Sequence, residues 1–267
     1  MGQNPPVTHG VTREVVELEI EQPARSGQPP AAPFDYSTIP PGHYDEVFRR
    51  RRGIQSKWHH LKFQRVARMV AGRRRVLDVG CGPGTLLGML GDERESVGVD
   101  ITQPQIDYAR EVYGAPNRSF YACALQELPE EVEPFDAVTA VELIEHLPPD
   151  LLEDTLRSAV ARLRPGGRLV LTTPNYHSAW PLVERIVDRV GDVDYYVQHI
   201  NKFTRARFRE LLEGLGLADV QVGAYLALAP FSAVLGWRFA DRVARLEAGF
   251  VEQGLGLLLI GTGIKPS

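Results

Sequence analysis

The chain has only two cysteines in 267 residues, Cys81 and Cys123. That is too few for a disulfide framework, and their spacing matches no zinc-ligand pair. A reducing, cytoplasmic setting is the expectation. No apolar run reaches the roughly 18 residues that span a bilayer. The stretch Leu226 to Leu235 is too short and is interrupted by Pro230. The opening residues are polar and proline-rich, without the basic and apolar sections of a secretory signal. Excess positive charge is missing as well. Thirty Lys and Arg against 34 Asp and Glu give a net charge of −4, which offers no overall attraction to nucleic acid. Internal repeats are absent. What remains is an ordinary globular composition, long enough for one substantial core with modest appendages.

Residues 1–40 are rich in proline and read as a mobile N-terminal segment. Within them Val11 to Ile20 alternates apolar and charged residues like a short strand. The main domain is expected over 41–267. A helical region is predicted from Tyr44 to Ala71, with the basic run Arg49 to Arg52 as a solvated helix face. Strands are predicted at 75–80, 95–100, 118–123, 135–141 and 167–173. The clearest helix covers 149–163, where Leu151, Leu152, Thr155, Leu156, Ala159, Val160 and Leu163 share one face. Pro148 and Pro149 suit its start, and Pro165-Gly166-Gly167 its end. Strands alternating with helices define an α/β class with a mainly parallel, doubly wound, Rossmann-like sheet. After Thr173 the alternation lapses. Helical insertions near 176–214 and 230–252 are expected as caps over a substrate. Apolar stretches at 217–228 and 255–264 read as two further strands, with a helix at 232–250 between them.

The most informative stretch is Val76-Leu-Asp-Val-Gly-Cys-Gly-Pro-Gly84. A short buried strand feeds a glycine-rich turn that opens a helix, as in the first unit of a nucleotide-binding sheet. Asp100 ends the next apolar run, 20 residues after Gly80, where such folds place an acid on ribose hydroxyls. Asp78 would repel a pyrophosphate but suits a cationic ligand. The third glycine of a dinucleotide motif is replaced by Thr85. S-adenosylmethionine (SAM), with an ammonium and a sulfonium and no phosphate, fits better than NAD. The Asp78-x-Gly80-x-Gly82-x-Gly84 motif resembles that of class I SAM-dependent methyltransferases. The resemblance implies a seven-stranded sheet ending in an antiparallel hairpin. It also implies a set of cofactor contacts. Gly80, Cys81 and Gly82 would lie against the methionine portion, with Asp78 facing its ammonium. Asp100 would bind the ribose and Ile101 would pack on adenine. Ala124, Leu125 and Val141 would complete the set. Ala124 occupies the position where relatives carry an acid for the adenine amino group, so Gln126 or a backbone carbonyl must substitute.

The fourth strand runs into Glu142-Leu-Ile-Glu145-His146. On one helical turn these three polar residues would share a side, and a divalent cation would relieve their crowding. His199 follows 53 residues after His146. This pattern resembles two methyltransferase families. One is the ubiquinone-biosynthesis O-methyltransferases, which act on catechol-like polyprenylated phenols. The other is the small-RNA 3′-terminal 2′-O-methyltransferases. The resemblance implies Glu142, Glu145, His146 and His199 as ligands of a Mg, Mn or Zn ion. Two other readings stay open: His146 or His199 as a metal-free general base beside Glu142, and a purely structural role.

Methyl transfer is an in-line displacement, so the acceptor oxygen must lie about 3 Å from the methyl carbon. A phenol titrates near pH 10, and either a metal or a histidine base would assist it. Aromatic residues Tyr176, Trp180, Tyr195, Tyr196, Phe203, Tyr225, Phe231 and Trp237 suit a pocket for a small or lipid-like acceptor, such as a quinone precursor or secondary metabolite. The predicted helix 232–250 mixes apolar residues with Arg238, Arg242 and Arg245. It suits packing on its own domain, with a membrane surface as the other reading. RNA methylation, N- or C-methylation, and a SAM-binding protein without turnover remain as alternatives.

Overall fold

Val76, Leu77 and Val79 are buried because β1 (Arg75–Val79) lies in the middle of a sheet covered on both faces. In the computed structural model the sheet has seven strands, and the described residues are 39–130, 132–190 and 198–267, with backbone only at 187–190 and 253. The expected mobile segment up to residue 38, the strand at Val11 to Ile20, and Tyr195 and Tyr196 lie outside the described residues.

The other strands are β2 (Glu95–Asp100), β3 (Arg118–Ala122), β4 (Phe135–Val141), β5 (Leu163–Pro174), β6 (Ala218–Tyr225) and β7 (Leu258–Ile264). Their order is β3-β2-β1-β4-β5-β7-β6. The first five are parallel, and β7 is antiparallel to both β5 and β6. The parallel, doubly wound sheet with an antiparallel end is the arrangement expected from sequence. The terminal pair is not a tight hairpin, because residues 226–257 intervene and β7 enters between β5 and β6. Strand order reverses between β1 and β4, the switch point at which such sheets bind ligands beyond their carboxyl ends.

The helices are α1 (His43–Arg49), α2 (Gly53–Met69), α3 (Thr85–Met89), α4 (Gln103–Tyr113), α5 (Pro149–Ala161), α6 (Trp180–Val190), α7 (Arg205–Gly214) and α8 (Trp237–Phe250). One face of the sheet packs Leu77, Val79 and Val138 against Leu156 of α5 and Phe208 and Leu212 of α7. The other packs Val76, Phe120 and Val170 with Val66 and Val70 near the end of α2 and Ile106 of α4.

Three expectations are corrected. The helical region expected from Tyr44 to Ala71 is two helices, broken where Arg51 and Gly53 take left-handed φ of 48° and 78°. The Phe48 carbonyl at the end of α1 accepts from Ser56 Oγ at 3.1 Å and contacts His60 Nε2 at 2.9 Å, which folds α2 back on α1. Helix α5 stops at Ala161, and Pro165-Gly166-Gly167 forms an irregularity inside β5, where pairing jumps from Phe135↔Leu163 to Ala137↔Arg168. Finally, α7 is not part of a cap: Phe208 and Leu212 are fully buried in the main core. No described helix is long and apolar enough to cross a membrane.

Candidate active site

The glycine turn leaves β1 at the switch point. Gly80 has φ 68°, and a Cβ there would lie 2.9 Å from Leu143 Cδ1, so only glycine fits. The N–H groups of Gly80 and Cys81 both donate to the Val99 carbonyl, at 2.8 and 3.0 Å. This turns the loop over β2. At Gly82 (φ 50°) an added Cβ would meet nothing within 4 Å, so the backbone is bare toward the space a cofactor would fill. Asp100 is pinned beside it: its carboxylate accepts from Gly82 N–H at 2.9 Å and from Thr102 N–H at 2.8 Å. Each carboxylate oxygen has a second acceptor position, which suits a ribose diol. Next to it Ile101 is 73% exposed, a bare apolar surface of the kind adenine needs. These features fit SAM.

Asp78 is buried at the centre of the sheet and accepts a hydrogen bond from Thr139 Oγ1 at 2.6 Å. Burial pushes its pKa up to about 7; the Thr139 bond opposes that rise and the Asp100 charge adds to it. The Cys81 thiol is buried, turned toward Gly98 of β2 and packed in the cluster that holds Phe120 of β3. The thiol also donates to the Gly82 carbonyl of the same loop, at 3.7 Å. Val141 is half-buried at the end of β4. Leu125 is buried in a 3₁₀ turn, Leu125–Glu127. Gln126, expected as a substitute acceptor, instead donates to Thr155 Oγ1 at 3.3 Å. Glu127, which sequence reasoning passed over, accepts from Ala124 N–H at 3.0 Å. That bond fastens the exposed Glu127 carboxylate back onto position 124, just before Leu128-Pro129.

At the end of β4 the helical turn expected for Glu142 to His146 does not form, because Glu142 takes φ 52°. Its N–H donates to the Thr172 carbonyl and hydroxyl, each at 3.1 Å. Its carboxylate turns to Lys62 Nζ at 2.5 Å. The group of metal-ligating atoms found among the described residues is therefore Glu145, His146 and His199, all within 4.8 Å of one another. Glu142 lies outside that group. Glu145 is fully buried, and neither carboxylate oxygen makes a hydrogen bond of good geometry; the nearby Thr173 hydroxyl and its own backbone N–H only partly offset the burial of its charge. Burial and the Glu142 charge raise its pKa well above the ordinary value.

The two histidines are oriented from behind. His146 Nδ1 lies 3.1 Å from the Gln198 carbonyl. A carbonyl only accepts, so Nδ1 carries the proton. Burial, aided by His199, lowers the His146 pKa to about 4, so the ring is neutral and Nε2 has the lone pair. His199 Nδ1 lies 2.6 Å from Glu184 Oε1, which also accepts from Tyr176 Oη at 2.6 Å and Trp180 Nε1 at 3.3 Å. Burial would raise the Glu184 pKa, but the bonds from His199 and Tyr176 outweigh it and hold it below the usual carboxylate value. A histidine held at Nδ1 by oxygen is the arrangement that orients Nε2 toward a metal. One carboxylate without a well-formed hydrogen bond and two such imidazoles fit a divalent cation.

Asn201 unites the two sequence segments. Its Nδ2 donates to the carbonyls of Ile144 and Leu147 at 2.9 and 2.6 Å, and its N–H to Glu145 O at 2.9 Å. Sequence reasoning missed Lys62, Glu184 and Asn201. Only Asn201 left a trace, as a polar residue two positions after His199. The expected aromatic walls divide. Tyr176 and Trp180 serve Glu184, Phe203 is core, and Trp237 lies under Lys57 Nζ, 4.2 Å from the ring centroid.

A methyltransferase-domain family model matches residues 48–222. Curated relatives include the ubiquinone biosynthesis O-methyltransferase of Alkalilimnicola ehrlichii, 32% identical over 43% of this chain and 48% of the relative. The mitochondrial ubiquinone biosynthesis O-methyltransferase of Mus musculus is 33% identical over 61% of this chain and 46% of the relative. The chain spans about half the length of the curated relatives it matches. A SAM-dependent methyltransferase structure from Archaeoglobus fulgidus aligns with TM-score 0.56 at 21% identity, covering 77% of this chain and 94% of that one. One from Thermotoga maritima, described as a possible histamine N-methyltransferase, aligns with TM-score 0.59 at 16% identity over 84% and 95%. With the glycine turn, the pinned Asp100 and the seven-stranded sheet, these matches lead to one conclusion: the chain belongs to the methyltransferase domain family, as a class I SAM-dependent methyltransferase.

Proposed function

We propose that this protein O-methylates a small or lipid-like hydroxylated acceptor, a quinone precursor or related secondary metabolite, with a divalent cation held by Glu145, His146 and His199. The observation that carries this reading is the buried Glu145 carboxylate without a well-formed hydrogen bond, beside two imidazoles fixed at Nδ1. Leaving such a carboxylate poorly matched is costly. The names of the curated relatives support the acceptor class. Both cysteines are free, which suits the cytoplasm.

SAM, when bound, supplies an electrophilic methyl group. A cation at this site would lower the acceptor hydroxyl pKa and hold its oxygen. The chain itself does the positioning. Asp100 and the glycine turn would fix the cofactor's ribose and methionine portions, and Asp78 would face its ammonium. Lys62 neutralises Glu142, which leaves Glu145 as the carboxylate available to the cation. Helix α2, which carries Lys62, also brings Trp58 against Trp180, with ring centroids 5.6 Å apart, and so covers this side of the site from water.

Calorimetric titration of Mg²⁺, Mn²⁺ and Zn²⁺ into protein saturated with S-adenosylhomocysteine tests the reading, alongside methylation of catechol acceptors. Stoichiometric binding abolished by Glu145→Gln and by His199→Ala is expected. Turnover without metal binding would instead make neutral His146 the general base.

A further inference from the structure

Helix α8 is held to the protein by unusually costly contacts, yet much of its outer surface is apolar. Lys57, almost fully buried, bonds Asp241 at 2.5 Å and lies over Trp237. Glu247, also buried, accepts from the N–H groups of Ala227, Leu228 and Ala229 at 3.0, 2.8 and 3.1 Å. Both acids of the helix are thus spent on anchoring it. Seven of the thirteen exposed large apolar side chains of the described residues fall between Leu228 and Leu255. Phe239, Leu246 and Phe250, spaced i, i+7 and i+11, form one line along the helix. Leu246 is 79% exposed. The preceding 3₁₀ helix, Phe231–Leu235, adds Val234 and Leu235, 70% and 74% exposed. Arg238, Arg242 and Arg245, at i, i+4 and i+7, form a second line beside the first, and no described acid pairs with them. The buried side of the helix, Ala240 and Glu247, lies away from both lines.

We propose that this face docks on an anionic lipid bilayer. Its apolar line would enter the interface while its arginines meet phosphate headgroups. A rigid platform with an apolar stripe flanked by unpaired cations matches the chemistry of such a surface. The biological sense of the docking rests on the proposed lipid-like acceptor, which would be drawn from the bilayer. The helix therefore combines both readings of its sequence, packed on its own domain along one side and open along the other.

The test is sedimentation of the full chain with phosphatidylcholine vesicles, with and without phosphatidylglycerol. Binding that requires phosphatidylglycerol is expected. Replacing all three arginines by Gln should weaken it about a hundredfold, at about fivefold per cation. Leu246→Asp should weaken it about tenfold or more. Both variants should keep the wild-type thermal midpoint and S-adenosylhomocysteine affinity, because their side chains are exposed and remote from the cofactor turn. No binding, equal binding to both vesicle types, or binding unchanged by either variant would overturn the proposal. So would a vesicle-free dimer that Leu246→Asp dissociates, which would assign the face to a second copy. Failure of every hydroxylated acceptor to be methylated, with vesicle binding intact, would refute the acceptor reading and leave the docking surface standing.

Discussion

Asp78 makes a demand on the fold that can be measured. Burial raises its pKa from 3.8 to about 7, so the native state holds a proton there that the unfolded chain releases. Stability then falls as pH rises from about 4 to about 7 and levels off above. At about 1.4 kcal/mol per pH unit, that interval amounts to about 4 kcal/mol. Asp78→Asn removes the titration, while the Asn carbonyl can still accept from Thr139. The variant should therefore be about as stable as wild type near pH 4 and more stable at pH 8, by an amount approaching that figure. Chemical denaturation of both proteins across this range measures it, and the difference between the curves cancels the titrating groups that do not interact with Asp78. The same carboxylate should favour a cationic ligand. Below pH 7 the affinity for SAM should fall about tenfold per pH unit in wild type and stay flat in Asp78→Asn. Parallel stability curves between pH 4 and 8, or the same affinity slope in both proteins, would refute the argument.

Other expectations follow from neighbouring contacts. Glu184→Gln removes the charge that orients His199 and should weaken metal binding about 10- to 100-fold; calorimetry would read this, with little change in S-adenosylhomocysteine affinity. Asn201→Ala unties the Glu145-His146 turn from His199 and should lower metal affinity by a similar factor, a loss that Asn201→Asp, which retains no Nδ2 donor, should not rescue. Lys62→Met leaves two acids without their cation and should cut turnover while sparing cofactor binding, as initial rates and calorimetry would show. Glu247→Ala strands three backbone N–H groups at 227–229 and should cost roughly 3 kcal/mol or more in denaturant unfolding.

Much of this architecture was legible because its signals are local. The apolar runs of β1 to β4 and the Gly80-x-Gly82-x-Gly84 turn specify themselves over a few residues, and the spacing to Asp100 adds a second point on the same ligand. The break between α1 and α2 was easily missed, because Arg50 to Arg52 are acceptable helix formers, Gly53 is a single local signal, and the capping of the Phe48 carbonyl by α2 residues comes from further along the chain. Glu142 was misread for a related reason. Its left-handed backbone is set by bonds to Thr172 on a neighbouring strand, and Lys62, 80 residues earlier, takes its carboxylate. Periodicity assigned Glu142 to a helix because nothing local opposed it. Glu184 sits in a helix whose pattern gives no reason to single out one acid. Its role exists only once His199 is folded beside it.

The position of β7 has a consequence for biosynthesis. It is the last strand in chain order, yet β5 and β6 pair with it on either side. Until Leu258 to Ile264 leave the ribosome, β6 has no strand to bond and the β5 edge is open. For that interval the nascent chain presents two unpaired edges of the kind that invite association with other chains. The glycine turn and the Asp100 side of the site can be complete long before then. A chain cut short before Leu258 would thus keep its most recognisable motif and still lack a closed sheet, so recognition of the cofactor motif in a fragment is no guide to whether the fragment can survive as a folded protein.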